Sequence, residues 1–177
     1  MNLAFTGHTN IEKICNVEYI PEQYNKIAFG LIYKEINNKI INLLKQYSKD
    51  DLVIISGMAR GIDEIAAIVS MNQELNLVCA VPHSVKWHKN RKDEGKRLQA
   101  IFYDEILKYP KAKIFEIKKS YGDGHKYANF ARNAFMVDIA DQVLSFKAYD
   151  STGTDHCIAY AKKQNKYMGN LKIQELW

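Results

Sequence analysis

Glycine and hydroxyl side chains recur at three places where a predicted strand meets a predicted helix. These junctions are residues 6–9 (TGHT), residues 56–63 (SGMARGID) and residues 151–155 (STGTD). Glycine lets the backbone pass close to a ligand, and the free N–H groups at a helix N-terminus attract phosphate or carboxylate. Together the junctions predict an anion-binding site, although each glycine taken singly is explained equally well by a tight turn.

Short apolar runs lie between these junctions and predict the strands. The runs at 52–55 and 77–81 are apolar without alternation, as expected for central parallel strands that are covered on both faces. The other predicted strands are residues 3–5, 113–117 and 142–146, with a last short strand at 171–173.

Helical patterns alternate with the predicted strands. The predicted helices span about 22–47, 61–73, 93–108, 127–140 and 155–165, and loops are expected at 8–20 and 83–92. This alternation predicts an α/β fold, a Rossmann-like three-layer sandwich with a mostly parallel central sheet and helices on both faces. Ligands of such sheets bind outside the carboxyl ends of the strands, so the three junctions are expected to meet there.

The composition is that of an ordinary globular chain. Of its 177 residues, 47% are hydrophobic and 25% are charged, and no apolar run approaches the roughly 20 residues that span a bilayer. We therefore expect a single domain over residues 1–177, in the cytoplasm and without membrane attachment. Cys15, Cys79 and Cys157 lack the spacing of zinc ligands, so neither a disulfide nor a metal is expected, and no cofactor is implied.

The glycine runs match neither the P-loop pattern GxxxxGK[ST] nor the dinucleotide pattern GxGxxG. Nearly the whole chain instead resembles the SLOG superfamily, especially its YpsA-like branch. The segments that carry the resemblance are TGH at 6–8, SGMARGIDEIAA at 56–67, VPHSVKW at 81–87, FARNAFMVDIADQVLSF at 130–146 and STGTDHCIAYAKKQNK at 151–166. The chain is also similar to the lysine-decarboxylase-like phosphoribohydrolases and to the DprA family of DNA-processing proteins.

The resemblance implies a Rossmann-like fold that binds nucleotides or nucleotide-derived signals. In the phosphoribohydrolases, an arginine in a motif like residues 132–136 holds the phosphate or sugar, and a glutamate three residues after a Gly-Thr pair completes the site. Arg132 is present here, but Cys157 stands at the glutamate position, and a neutral thiol does not supply a negative charge. Hydrolysis would need a displaced carboxylate, for which Asp63, Asp138 and Asp155 are the candidates.

Two further segments add candidate ligand contacts. The stretch at 82–88 combines His83, Lys86 and Trp87, groups that stack on a base or meet a phosphate, although Trp87 is equally explained as a core anchor. The glycines of the loop at 121–125 predict either a lid or an inert turn. The candidate catalytic residues are Arg132, Asp63 and Asp155, and the candidate binding residues are Thr6, Gly7, His8, Ser56, Gly57, Met58, Arg60, Gly61, Asp63, His83, Trp87, Arg132, Asn133, Ser151, Thr152, Gly153 and Thr154.

Three functions are consistent with these patterns. The preferred one is a sensor or sequestering protein for a nucleotide-derived small molecule, of the ADP-ribose or cyclic-nucleotide type, with phage counter-defence as one setting. The second is an N-glycosidase or phosphoribohydrolase. The third is DprA-like binding of single-stranded DNA through the basic stretch at 86–92; because the net charge of +5 is otherwise scattered, nucleic acid is the least favoured partner. A homo-oligomer is expected, since a second copy would complete each pocket.

Overall fold

A computed structural model describes residues 1–20, 22–93, 96–118 and 125–173. The strands are β1 (Asn2–Gly7), β2 (Val53–Ser56), β3 (Asn76–Pro82), β4 (Lys92–Asp93), β5 (Lys96–Arg97), β6 (Ala112–Ile117), β7 (Gln142–Phe146) and β8 (Tyr167–Asn170). The helices are α1 (Ile11–Ile14), α2 (Lys26–Leu43), α3 (Ile62–Asn72), α4 (Val85–Asn90), α5 (Tyr103–Leu107), α6 (His125–Ile139) and α7 (Thr152–Lys163).

Six of these strands form one parallel sheet in the order β6-β3-β2-β1-β7-β8. Along β1, Leu3 and Phe5 face the core under α2 and α3, while Ala4 faces the core under α6 and α7. Successive strand side chains point to opposite faces, which is why the apolar runs of the central strands carry no alternation. The predicted α/β Rossmann-like fold is confirmed.

The chain order of the strands reverses at β1. From β1 the chain moves to β2 and β3 on one side, and it later returns to β7 and β8 on the other. Open parallel sheets bind their ligands in the crevice at such a reversal, outside the carboxyl ends of the strands. The junctions after β1, β2 and β7 therefore end at one edge of the sheet.

Several predicted boundaries are wrong. The helix predicted over 93–108 is only α5, because the backbone of 98–100 pairs with 58–60 and is held extended: Arg60 N donates to the carbonyl of Leu98 at 2.7 Å, and Ala100 N to the carbonyl of Met58 at 3.1 Å. Upstream of this pairing, β4 and β5 form a short antiparallel ribbon.

Three other segments also differ from the prediction. The strand predicted at 171–173 is β8, which lies earlier because α7 ends at Lys163 and the chain pairs with β7 from Tyr167 onwards. The loops predicted at 8–20 and 83–92 contain α1 and α4, whose first turns are capped by Asn10 and Ser84.

Candidate functional site

A polar pocket of about 220 Å³ opens at the carboxyl edge of the sheet, and we call it the Arg132 pocket. Its walls are formed by the end of β1, the loop after β2 with the start of α3, the middle of α6 and the start of α7. Eight of the predicted site residues line it: Thr6, Gly7, Asp63, Arg132, Asn133, Ser151, Gly153 and Thr154.

Arg132 forms the charged floor of this pocket. The residue is only 7% exposed. Its Nη1 donates to the carbonyl of Gly57 and, at 3.0 Å, to Oδ2 of Asp63. Both of these bonds use one nitrogen, whereas Nε has no hydrogen-bond partner among the residues that the structure describes. Nε and Nη2 lie on one edge of the guanidinium, the edge that arginine uses for bidentate contact with a phosphate or carboxylate.

Gly57 is required by the same ion pair. A Cβ at this position would overlap Nη1 of Arg132 and Oδ2 of Asp63. Burial raises the pKa of Asp63 to about 6, although the neighbouring guanidinium acts to lower it. The pocket therefore holds a carboxylate whose charge changes just below neutral pH.

The N-terminus of α7 forms the opposite wall. Ser151 makes no side-chain capping bond to the first turn of α7, a helix of 12 residues, and Gly153 and Thr154 in that turn line the pocket. Asn133 ties α6 to this turn, since its Nδ2 donates to the carbonyl of Gly153 at 3.1 Å. Uncapped N–H groups at a helix start favour an anion, so this wall complements Arg132.

His88 on α4 and Arg91, the C-cap residue of this helix, also line the pocket. Both belong to the basic stretch at 86–92, but neither was among the candidate binding residues. Burial lowers the pKa of His88 to about 3, so its imidazole is neutral at physiological pH, and Nδ1 lies 3.0 Å from the hydroxyl of Tyr103. Arg132 and Arg91 are therefore the two cations of the pocket among the residues described.

Several predicted binding residues lie next to the pocket without lining it. Arg60 is fully buried: its Nη2 contacts Oε1 of Glu12 at 3.1 Å and donates to the carbonyl of Ile20 at 2.9 Å. Ser56 donates to the carbonyl of Asp63 at 2.8 Å. Met58 and Gly61 complete this loop, and neither Arg60, Ser56, Met58 nor Gly61 lines the pocket. These residues shape the loop that carries Gly57 and Asp63.

Other predicted contacts lie away from the pocket. Nε2 of His8 accepts from the backbone N–H groups of Ala148 and Tyr149 at 2.9 and 3.2 Å. His83 and Trp87 pack against each other, with ring centroids 5.4 Å apart, and neither of them lines the pocket, nor does Thr152.

Of the two predicted catalytic carboxylates, one lies in the pocket and the other lies outside it. Asp155 accepts from the backbone N–H of Ser151 at 3.0 Å and pairs with Lys147 at 2.6 Å, outside the pocket. Asp63 is thus the candidate carboxylate that lines it. Cys157 is buried, and burial raises the pKa of its thiol to about 11, so it stays neutral.

Asn129 is the missed residue that a local signal could have found. It precedes Arg132 by three residues on α6, and this spacing places both on one helix face. His88 and Arg91 were missed because their segment was predicted as a loop. The missed lining residues are Thr9, Ala59, His88, Arg91, Leu98 and Asn129.

Two negative findings concern the described residues only. None of their helices is long and apolar enough to cross a membrane. Nor do they contain a group of three or more His, Cys, Asp or Glu side chains placed to hold a metal ion. The lid predicted at 121–125 lies outside the residues described, apart from the backbone of His125.

Two solved structures with a similar fold are DNA-processing proteins. DNA processing protein A (DprA) from Streptococcus pneumoniae aligns with a TM-score of 0.60 and 14% identity, over 95% of this chain and 49% of that one. The protein of the same name from Helicobacter pylori, whose structure describes its mode of binding single-stranded DNA, aligns with a TM-score of 0.60 and 17% identity, over 99% and 66%. The chain thus spans about half of the first relative and about two thirds of the second. No curated protein matches the chain.

A family model overturns two predictions. The model for DNA recombination-mediator protein A matches residues 33–174, which is most of the chain. The preferred prediction, a small nucleotide-derived ligand with a sensing or sequestering role, is wrong, and so is the expectation that nucleic acid is the least favoured partner, because this family and both solved relatives are DNA-processing proteins. At the coarser level the predicted resemblance is confirmed: the chain belongs to the DNA recombination-mediator protein A family.

Proposed function

We propose that this protein binds single-stranded DNA and that the Arg132 pocket holds a backbone phosphate of the strand. The observation that carries the proposal is Nε of Arg132, which is buried and without a hydrogen-bond partner among the described residues, in a side chain that lines the pocket. A buried guanidinium N–H without a partner is completed by an oxyanion bound at the same side chain.

The rest of the pocket supports a phosphate on chemical grounds. The uncapped start of α7 supplies N–H donors, and Thr6, Thr9 and Thr154 supply hydroxyl groups. Arg91 adds a second positive charge at the pocket. Backbone phosphates of DNA are bound by this combination of arginine, hydroxyl groups and helix N-termini.

An aromatic surface beside the pocket favours a single strand over a duplex. Phe130, next to Asn129 on α6, stacks on His156 with centroids 4.0 Å apart and planes 6° apart. Tyr127 is 41% exposed and contacts Phe130 edge-on, and Nζ of Lys126 lies 5.4 Å from the Phe130 ring centroid. We call these four residues the aromatic ledge. Unstacked bases bind to such surfaces, whereas the bases of a duplex are not available for stacking.

Finer features stay as predictions from the sequence. They are membership of the YpsA-like branch, a single domain over residues 1–177, a cytoplasmic location, a homo-oligomer and the alternative N-glycosidase activity. None of these features is needed for the proposed DNA binding.

The test is fluorescence anisotropy with a labelled oligothymidylate of about 20 nucleotides, measured over a range of salt concentrations. Arg132→Lys keeps the charge beside Asp63 but loses the bidentate edge, so we expect about tenfold weaker binding or more. Arg91→Gln should also weaken binding and lower the salt slope by about one.

The matched control is Lys113→Gln, which removes an exposed charge from β6, away from the pocket. It should bind DNA as the unmodified protein does. Urea unfolding of all variants separates a lost contact from a lost fold. Unchanged affinity and salt slope in both Arg132→Lys and Arg91→Gln would rule out the pocket as a phosphate site.

A further inference from the structure

A second cavity of about 280 Å³ adjoins the Arg132 pocket, and we call it the Tyr19 cavity. Thr9 and Leu98 line both spaces. The Tyr19 cavity is lined by Thr9, Asn10, Tyr19, Arg60, Arg97 and Leu98. The two spaces therefore meet across Thr9 and Leu98.

Chain segments that pass between the two spaces contribute to both. Ala59 lines the Arg132 pocket and Arg60 lines the Tyr19 cavity, and they are neighbours in the chain. The same wall is fixed by the backbone bond from Arg60 N to the carbonyl of Leu98, 2.7 Å long. The relative position of the two spaces is therefore set by paired backbone and not by side-chain rotamers.

The Tyr19 cavity combines an aromatic ring with cationic and neutral polar groups. The guanidinium carbon of Arg60 lies 4.7 Å from the Tyr19 ring centroid, and Nη1 of Arg60 donates to the Tyr19 hydroxyl at 3.2 Å. Glu12 balances the charge of Arg60. Arg97 is held beside the cavity by a bond from its Nη2 to the carbonyl of Ala100, 3.0 Å long.

These groups match the parts of a nucleotide. A tyrosine ring held in place by a guanidinium is a platform for a base, and Arg97, with the hydroxyl and amide groups of Thr9 and Asn10, supplies donors for a phosphate or sugar. A cavity with only apolar walls, or with only charges, would not offer both kinds of contact.

We propose that the Tyr19 cavity is a second nucleotide subsite, which takes the nucleotide next to the one whose phosphate lies in the Arg132 pocket. The strand crosses from one subsite to the other over Thr9 and Leu98. This inference rests on the proposed function, because it assigns the path of the same DNA strand.

The test compares a ligand that reaches one subsite with a ligand that reaches both. Thymidine 5′-monophosphate is expected to bind first in the Arg132 pocket, where the buried guanidinium holds its phosphate, whereas an oligothymidylate of about six nucleotides spans both subsites. Binding is measured by calorimetry for the unmodified protein, Tyr19→Leu, Arg97→Gln and the control Lys172→Gln, which removes one exposed charge elsewhere.

We expect Tyr19→Leu and Arg97→Gln each to weaken binding of the oligonucleotide about tenfold and to leave binding of the mononucleotide unchanged. Lys172→Gln should change neither. Equal losses for both ligands would overturn the second subsite, because the substitutions would then act through the shared wall, and no loss for either ligand would overturn it as well.

The two proposals fail in different ways. If Arg132→Lys and Arg91→Gln both leave the binding of either ligand unchanged, the Arg132 pocket is not a phosphate site, and that part of the proposed function falls. If Arg132→Lys weakens both ligands but the two cavity variants do not discriminate between them, only the second subsite falls. Tyr19→Leu and Arg97→Gln lie on different segments of the chain, so the second subsite can still be tested if one of the two variants does not fold.

Discussion

In the proposed DNA complex, Asp63 opposes the phosphate that Arg132 attracts. Its Oδ2 lies 3.0 Å from Nη1, and both residues line one pocket. An ionised carboxylate at this distance neutralises part of the guanidinium charge and repels an incoming phosphate. DNA binding should therefore be tighter when Asp63 is protonated.

This gives a prediction with a defined sign. Burial raises the pKa of Asp63 to about 6, so the affinity for single-stranded DNA should rise as the pH falls from 7 to 5. Of the groups around this pair, His88 has its pKa lowered to about 3 by burial and stays neutral over this range, as does the Cys157 thiol, whose pKa burial raises to about 11. Asp63→Asn should bind about threefold to tenfold more tightly at pH 7 and lose most of the pH dependence.

Anisotropy titrations at pH 5, 6 and 7 and constant ionic strength measure this effect. Asp50→Asn is the matched control, because Asp50 is exposed and faces Lys111, away from the pocket. If Asp63→Asn binds more weakly than the unmodified protein at pH 7, the carboxylate positions Arg132 and does not compete with the phosphate.

The sequence predicted the pocket position of some single residues and not that of others. Arg132 and Asn133 follow each other in one helical motif, and the structure places both at the pocket. Arg60 looks equivalent in sequence, since it stands between glycine residues in a loop, yet Glu12 neutralises it from 48 residues away. No local pattern reveals a partner at that separation.

Between elements, the Glu12–Arg60 ion pair joins α1 to the loop between β2 and α3. Both side chains are at most 1% exposed, and Glu12 also accepts from the backbone N–H of Asn25 at 3.2 Å, before α2. Removing one partner leaves a buried charge without compensation. Glu12→Gln should therefore lower the free energy of unfolding by about 3 kcal/mol.

A double variant separates charge from packing. Glu12→Leu with Arg60→Met removes both charges, and it should recover most of the stability lost by Glu12→Gln. Urea unfolding at pH 7 gives all three values. If the double variant is less stable than Glu12→Gln, the hydrogen bonds of Arg60 to loop carbonyls matter more than its charge.

The strands and long helices could be predicted because their signals are local. Apolar runs predict the central strands, and the helical repeat predicts α2, α3, α6 and α7 to within a few residues. The error at 93–108 has a non-local cause, since residues 98–100 are held extended by backbone bonds to 58–60. Such pairing depends on the folded sheet and is invisible in a window of neighbouring residues.

For the whole molecule, two buried histidines make stability depend on pH. Burial lowers the pKa of His8 to about 4 and that of His88 to about 3. Both are neutral in the folded state, whereas in the unfolded chain they take up protons near pH 6.5. The free energy of unfolding should therefore fall as the pH drops below 6.5. Asp63, whose pKa burial raises to about 6, acts in the opposite direction below that pH, and burial raises the pKa of Glu64 as well.

The contribution of His8 can be isolated by substitution. In His8→Gln the side-chain amide oxygen replaces Nε2 as acceptor for the two backbone N–H groups, but it does not titrate. Between pH 7 and pH 5 this variant should lose about 1 to 2 kcal/mol less stability than the unmodified protein, as measured by urea unfolding. His83→Gln, at an exposed position, is the control. Equal pH dependence in His8→Gln and the unmodified protein would contradict the assignment.

The function predicted from the sequence was wrong because it depends on how charges are arranged over the whole molecule. Basic residues look scattered along the sequence, with one dense stretch at 86–92, and the net charge of +5 says nothing about where they meet. In the fold, Arg91 and Arg132 line one pocket although they come from different helices. The distribution of charge in space, which decides whether a DNA strand is attracted, follows from the topology and not from the composition.

The central position of β1 has a consequence for synthesis on the ribosome. β1 is the first strand of the chain, yet one of its edges pairs with β7, and Asn2 N bonds to Asp141 Oδ2 across 139 residues. That edge stays open on the nascent chain until β7 has emerged, which favours slow folding and transient exposure of a hydrophobic strand. Because Arg132 and the start of α7 follow β1, β2 and β3 in the chain, the Arg132 pocket forms only after α6 and the first turn of α7 have been translated.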